Sequence, residues 1–240
     1  MTSRLITYQI EKMFMLVLVP IGILTNILSV FIFTKKKFNK TNMGFYGIGI
    51  GCANILQLIY YMFVQNSEIL FNYNMSLASN DMCRTIVYFR RLIRQIAPII
   101  ETVMTLDRFM NVYFPRKFKF IIKKNYILTI ILTIVGLFGM FDLLNLSYNL
   151  QPRSFYSKDY ILTNITICTS SKKVRQYTDI GATILRTYVP LFTMFSLNLL
   201  IIKQLTRSRI KAHGTNMKRE FDFTKSVLGM NGIFLKITTL

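Results

Sequence analysis

The feature that most constrains this chain is a set of apolar runs too long for the core of a small soluble domain. Met13–Phe33 is 21 residues without a charged side chain, and Met43–Val64 is a second such run. About 20 consecutive apolar residues are enough to carry a helix across bilayer hydrocarbon. In lipid the backbone polar groups must pair within the segment or within a closed barrel, and runs of this length without alternation select the helix. A block over 126–150 is interrupted only by Asp142, and further blocks occupy 177–205 and 223–240. With the more polar stretch 83–114 read as a further helix, the sequence predicts an all-α membrane protein with six helical segments. The intervening stretches, 65–82 and 151–176 among them, read as polar loops.

Charge then orients the predicted segments. Lys and Arg total 30 against 10 Asp and Glu, a net charge of +20. These bases fall between apolar blocks rather than on one continuous face, which argues against nucleic-acid binding. The segments after the first, third and fifth blocks carry 17 Lys and Arg, the opposite segments 7. The positive-inside rule places the first set in the cytoplasm and the N-terminus outside. A multi-pass plasma-membrane protein follows as the expectation. Asn74 and Asn164 begin Asn-x-Ser/Thr sequons on the outer side, where glycosylation is expected. Three cysteines and one histidine exclude a four-cysteine metal site and a disulfide-dense scaffold. No catalytic set is apparent, and no metal or cofactor is implied.

The stretch from Cys83 to Pro115 organises the rest. Arg108 lies 25 residues after Cys83, about 37 Å along a helix, close to the thickness of a bilayer with its headgroups. At about 100° per residue, Arg94, Glu101 and Arg108 all project within about 40° of Arg90. Charges at membrane depth are costly, so this stripe should face the protein interior or water. Pro98 should kink the helix.

A cysteine at the head of this helix and Asp107-Arg108-Phe109 near its foot resemble the third transmembrane helix of the rhodopsin-like (class A) G-protein-coupled receptors. In that family the triplet is Asp/Glu-Arg-Tyr. Gly22 and Asn26 resemble the family's first-helix signature, Ala53-Asn54 its second, and Tyr188-Val189-Pro190 its proline-bearing fifth. Departures are Asn54 in place of a sodium-binding acid, Phe109, and the absence of Trp. The resemblance implies a seven-transmembrane receptor-like bundle over residues 1–240, truncated within the sixth helix and lacking the seventh. It also implies a disulfide from Cys83 to Cys168 in the second outer loop, with Cys52 free and buried. If Phe234 is the aromatic switch of the sixth helix, Glu220 falls at the family spacing for the acid that pairs with Arg108. Asn26, Asn54 and Glu101 are then interior polar contacts, with Glu101 bonded to Asn54 or protonated.

The implied function is transduction of an extracellular signal to a heterotrimeric G protein, once a seventh helix completes the bundle. Arg90 and Arg94, joined by Arg186 one turn before Pro190, suit a ligand with an acidic group, a peptide among them. The alternative is internal pairing of Arg90 and Arg94 with Asp142, Asp179, Glu68 or Asp81. Two other functions stay open: a truncated, non-signalling receptor isoform, and a transporter or channel subunit using Arg90, Arg94 and Glu101 along an ion path.

Overall fold

The structure is a computed structural model that describes residues 9–10, 12–114, 124–156 and 162–211. Glu220, Phe234 and the whole sixth block, 223–240, lie outside the described residues, as does the basic stretch 115–123. The long helices are α1 (Val19–Thr34), α2 (Asn42–Tyr60), α3 (Asn80–Tyr113), α4 (Lys124–Asp142), α5 (Lys172–Thr183) and α6 (Val189–Lys211). Among the described residues, four helical stretches are long and apolar enough to cross a membrane: Met15–Thr34, Asn42–Val64, Lys124–Ser147 and Lys172–Gln204. α3 is the longest helix but carries too many charges to qualify on apolarity alone. Its hydrophobic companions supply the anchoring.

α1 is apolar all round, with Leu24, Leu28 and Phe31 exposed, as expected of a helix solvated by lipid. Its polar side chains are satisfied locally. Thr25 and Asn26 both donate to the Gly22 carbonyl, at 3.0 and 2.7 Å. Thr102 and Thr129 likewise donate back to carbonyls four residues earlier, at 2.7 and 3.0 Å. Such back-bonds let hydroxyls sit in hydrocarbon.

Two turns of π-helix have a common cause. Phe14–Leu18 precedes Pro20 and Ile184–Tyr188 precedes Pro190. Proline lacks an N–H and its ring crowds the carbonyl four residues back, so the turn widens to i→i+5 pairing. The Val189 N–H accordingly donates to the Ile184 carbonyl. The third such turn, Tyr61–Gln65, is closed by Asn66, whose backbone and side-chain amides both donate to the Tyr61 carbonyl at 3.1 Å. α3 runs through Pro98 as one continuous helix.

The chain forms two compact units: residues 1–97 with 135–181, and residues 98–134 with 182–240. In the first, α2 packs its glycine face on α1. A Cβ at Gly47 would meet the Phe33 ring, and one at Gly51 would lie 2.5 Å from Val30 Cγ2. This close approach is what small residues permit in membranes. Asn54 donates to Asn26 Oδ1 at 3.2 Å across the same seam. Cys52 is exposed rather than buried, because the seam takes Gly47, Gly51 and Asn54, and Cys52 lies about 100° round the helix from Gly51.

The segment 151–176, expected as a loop, holds structure. β1 (Asn149–Tyr156) and β2 (Leu162–Thr169) form an antiparallel hairpin with Leu150 opposite Cys168. The β-branched Thr163, Ile165, Thr166, Ile167 and Thr169 favour a pleated strand over a coil. The first turns of α3 hold the hairpin. Asn80 Oδ1 accepts from the Leu150 N–H at 2.8 Å, and Arg84 donates to the Tyr148 carbonyl and to Asn149.

In the second unit, the lower half of α3 packs on α6. The Tyr113 hydroxyl donates to the Leu200 carbonyl at 3.1 Å, and Phe109 and Tyr113 rings lie 4.6 Å apart. Phe109 thus makes an aromatic contact that requires no hydroxyl of its own.

Candidate functional site

α3 places two different sets of polar side chains on two faces. The first set is the one the stripe identified. Arg90 and Arg94, one turn apart, line a cavity of about 370 Å³ in the first unit, together with Gln57, Tyr60 and Tyr61. Its apolar wall is Leu18, Val19, Leu58 and Ile93. The Tyr60 hydroxyl donates to the Ile86 carbonyl at 2.7 Å, which fixes the ring against α3. Among the described residues Arg90 makes no ion pair. Both arginines are partly rather than fully buried, consistent with guanidinium groups reaching a cavity.

The second set was not part of the stripe. Arg91 is buried and donates to Asp179 Oδ1 at 2.6 Å and to the Tyr148 hydroxyl at 3.1 Å. Its guanidinium carbon also lies 5.8 Å from the centre of the Tyr148 ring, within cation–π range. One turn on, the Gln95 amide donates to Asp142 Oδ2 at 2.9 Å, and Asn145 donates to Asp142 Oδ1 at 3.2 Å. Asp142 and Asn145 are fully buried, so this network is the polar core of the first unit.

Each acid offered by the sequence as a partner for Arg90 and Arg94 has a contact with some other residue. Asp179 accepts from Arg91 and Asp142 from Gln95 and Asn145. Glu68 accepts from Asn74, and Asp81 lies 3.7 Å from Arg84. The sequence did carry a signal for this second face. Arg91 and Gln95 lie at about 100° and 140° from Arg90, a separate polar pair at i, i+4.

Cys83 and Cys168 are joined by a disulfide with a Cα–Cα distance of 5.7 Å, spanning 85 residues. Cys83, Val87 and Tyr148 pack beside it with Leu150. The bond therefore fixes the hairpin to α3 about two turns before Arg90. Arg186 sits in the π-turn before Pro190, in the second unit. Asp107 and Arg108 are half-buried on α3 in that unit, each with interactions to neighbouring groups. The Glu101 backbone carbonyl accepts from Thr105 at 2.9 Å, whereas the Asn54 amide expected to meet its carboxyl is directed to Asn26. Asn74 lies in a tight turn in which its side-chain oxygen accepts from the Ser76 N–H and hydroxyl, at 3.1 and 2.6 Å. Asn164 falls on β2 opposite Ser154.

Among the described residues no group of His, Cys, Asp and Glu could hold a metal ion. α3 thus carries Arg90 and Arg94 on a cavity of the first unit, and Asp107 with Arg108 nearer its C-terminal end in the second. None of the curated proteins matches the chain. The model of a receptor family, described as serpentine type 7TM GPCR chemoreceptor Srx, matches residues 16–228. That stretch takes in all six long helices and the hairpin. The chain is therefore a multi-pass membrane protein that belongs to the Srx family of serpentine 7TM GPCR chemoreceptors, a family of receptors and not of enzymes.

Proposed function

We propose that the chain is a rhodopsin-like receptor of the plasma membrane, with its N-terminus outside, that transduces an extracellular ligand bearing an acidic group to a heterotrimeric G protein. One observation carries the reading: Arg90 and Arg94 line the same cavity, and Arg90 makes no ion pair among the described residues. The Arg90 guanidinium, with Arg94 one turn on, presents donors that match a carboxylate. The Cys83–Cys168 bond holds the hairpin to the half of α3 that carries Arg90 and Arg94. Glycans on Asn74 and Asn164 fit the same orientation.

The receptor domain takes in residues 1–240, and the signal leaves through Asp107 and Arg108. In this reading Arg108 pairs with Glu220 in the resting state and is released when the ligand biases a two-state helix movement. Asn26, Asn54 and Glu101 are interior polar contacts along that path. The test is nucleotide exchange on a reconstituted G protein, by a receptor that carries residues 1–240 followed by a seventh helix. Arg90→Gln should abolish the response to an acidic ligand, whereas Glu220→Gln should raise the ligand-independent rate. An unchanged response in Arg90→Gln, with normal expression, would refute the assignment.

A further inference from the structure

The connection between α1 and α2 concentrates positive charge with no acid nearby in the sequence. Lys35, Lys36, Lys37 and Lys40 fall within six residues, and the chain carries no Asp or Glu from Lys12 to Ser67. Lys35, Lys36 and Lys40 are exposed, and among the described residues none of the three makes an ion pair. The backbone that carries them is fixed. Lys35 leaves α1 in an extended conformation, and a single helical turn, Lys36–Asn39, follows. Thr41 closes that turn. Its N–H and its hydroxyl donate to the Phe38 carbonyl at 2.9 and 2.7 Å, and its side-chain oxygen accepts from the Gly44 N–H at 3.2 Å. The Phe38 carbonyl sits so close to Gly44 that a Cβ there would collide with it, and the Phe38 ring packs edge-on to Phe33, 5.9 Å between centres. Lys36 and Lys40 are thereby held about one helical turn apart.

The turn also lies at the edge of the hydrocarbon. Lys35 Nζ is 5.4 Å from the centre of the Phe31 ring, which is itself exposed among the apolar side chains of α1. The ammonium therefore stands where hydrocarbon gives way to headgroups, the level to which a lysine snorkels. We propose that this turn is a docking site for the phosphorylated headgroup of a phosphoinositide lipid. Lysine meets phosphate as a point charge, and a head with several phosphates reaches Lys36 and Lys40 together, whereas a singly charged serine phospholipid answers only one. Because the turn is already closed, it loses little further freedom on binding. With the N-terminus outside, as proposed above, the connection faces the cytoplasmic leaflet, the anionic side of the membrane.

The experiment is native mass spectrometry of the full chain released from phosphatidylcholine nanodiscs that hold phosphatidylinositol bisphosphate and phosphatidylserine in amounts contributing equal charge. Both faces of a nanodisc are open, so the result is independent of orientation and of the Arg90–Arg94 cavity. The bisphosphate lipid should be retained roughly tenfold more than phosphatidylserine. Each lysine near a membrane surface contributes about fivefold in affinity, so Lys36→Gln/Lys40→Gln should cut its retention about 25-fold. Lys172→Gln/Lys173→Gln removes the same charge from exposed positions at the start of α5 and should leave retention within about twofold of the parent. Both pairs are exposed, so neither variant should disturb the fold. Soluble inositol trisphosphate, added at the total concentration of the lipid, should displace less than about a tenth of it, since the bilayer confines the lipid head at the height of the turn. Equal retention of the two lipids, or equal losses in the two double variants, would reduce the turn to its share of the overall positive charge and overturn the proposal. Unchanged retention in Lys36→Gln/Lys40→Gln would overturn it by placing the lipid elsewhere. Free displacement by the soluble headgroup would make the ligand a dissolved phosphate and overturn the assignment to lipid.

Discussion

The Arg91–Asp179 pair makes an asymmetric prediction. The Arg91 side chain is 9% exposed and that of Asp179 57% exposed. Removing the acid strands a buried guanidinium, whose Nη1 already lacks a partner among the described residues. Breaking a buried pair in this way costs about 3–5 kcal/mol, and the exposure of Asp179 brings Asp179→Asn down to about 2 kcal/mol. Removing the base instead leaves Asp179, whose side chain is 57% exposed, with its remaining neighbours, and a methionine fills most of the volume left by the arginine stem. Arg91→Met should therefore cost only about 1 kcal/mol, chiefly the hydrogen bond to Tyr148. The double variant should resemble Arg91→Met rather than the sum of the two. In a chain of this length 1 kcal/mol is about 2–4 °C, so Asp179→Asn should melt roughly 4–8 °C lower and Arg91→Met roughly 2–4 °C lower. The assay is loss of monomer by size exclusion after heating in detergent. Arg91→Met melting below Asp179→Asn would refute the argument that the buried partner sets the cost.

Three further outcomes follow from the first unit. Gly51→Leu should destabilise by about 1–3 kcal/mol through its clash with Val30, whereas Gly136→Leu, with nothing within 4 Å of the added carbon, should stay within about 0.5 kcal/mol of the parent; thermal melts of the two distinguish them. Cys168→Ser opens an 85-residue loop, which chain entropy values at about 4.5 kcal/mol, so the folded fraction at the cell surface should drop sharply; equal surface levels would count against a structural role. Asn54→Leu should cost about 1 kcal/mol, since it orphans only Asn26 Oδ1 while the Asn26 amide keeps its bond to Gly22.

What the sequence made legible, and what it did not, divides along physical lines. The span helices were readable because hydrocarbon penalises every charge, so absence of charge over some 20 residues is itself a strong signal. The pairing of Cys83 with Cys168 came through family resemblance, not from spacing. Arg90 and Arg94 were found because they share a stripe with Glu101 and Arg108. Arg91 and Gln95 were missed because their partners, Tyr148, Asp142 and Asn145, lie in the last turns of the 126–150 block, where no periodicity announces which side chains turn inward. The hairpin was missed because polar Asn, Thr and Ser residues suggested a loop, and only the β-branched run in Leu162–Thr169 argued otherwise. The exposure of Cys52 depended on which face of α2 meets α1, and glycines at 44, 47, 49 and 51 left two faces available.

The central claim is that Arg90 and Arg94 hold the acidic group of a ligand, and a cycle between one residue and one ligand group tests it most directly. A simple carboxylate probe, octanoate, and its neutral analogue octanamide would each be titrated against the full chain and against Arg90→Gln in phosphatidylcholine nanodiscs, with partition into empty nanodiscs subtracted. Arg90 is the cleaner choice, since among the described residues it makes no ion pair whose loss would complicate the reading. If the guanidinium and the carboxylate meet, Arg90→Gln should weaken octanoate by about 2 kcal/mol or more, near thirtyfold. Octanamide should lose a similar amount on the parent chain, and Arg90→Gln should then cost octanamide almost nothing, because the two losses report one contact. Losses that add in full, or an Arg90→Gln/Arg94→Gln double variant that expresses and binds octanoate as the parent does, would contradict the account.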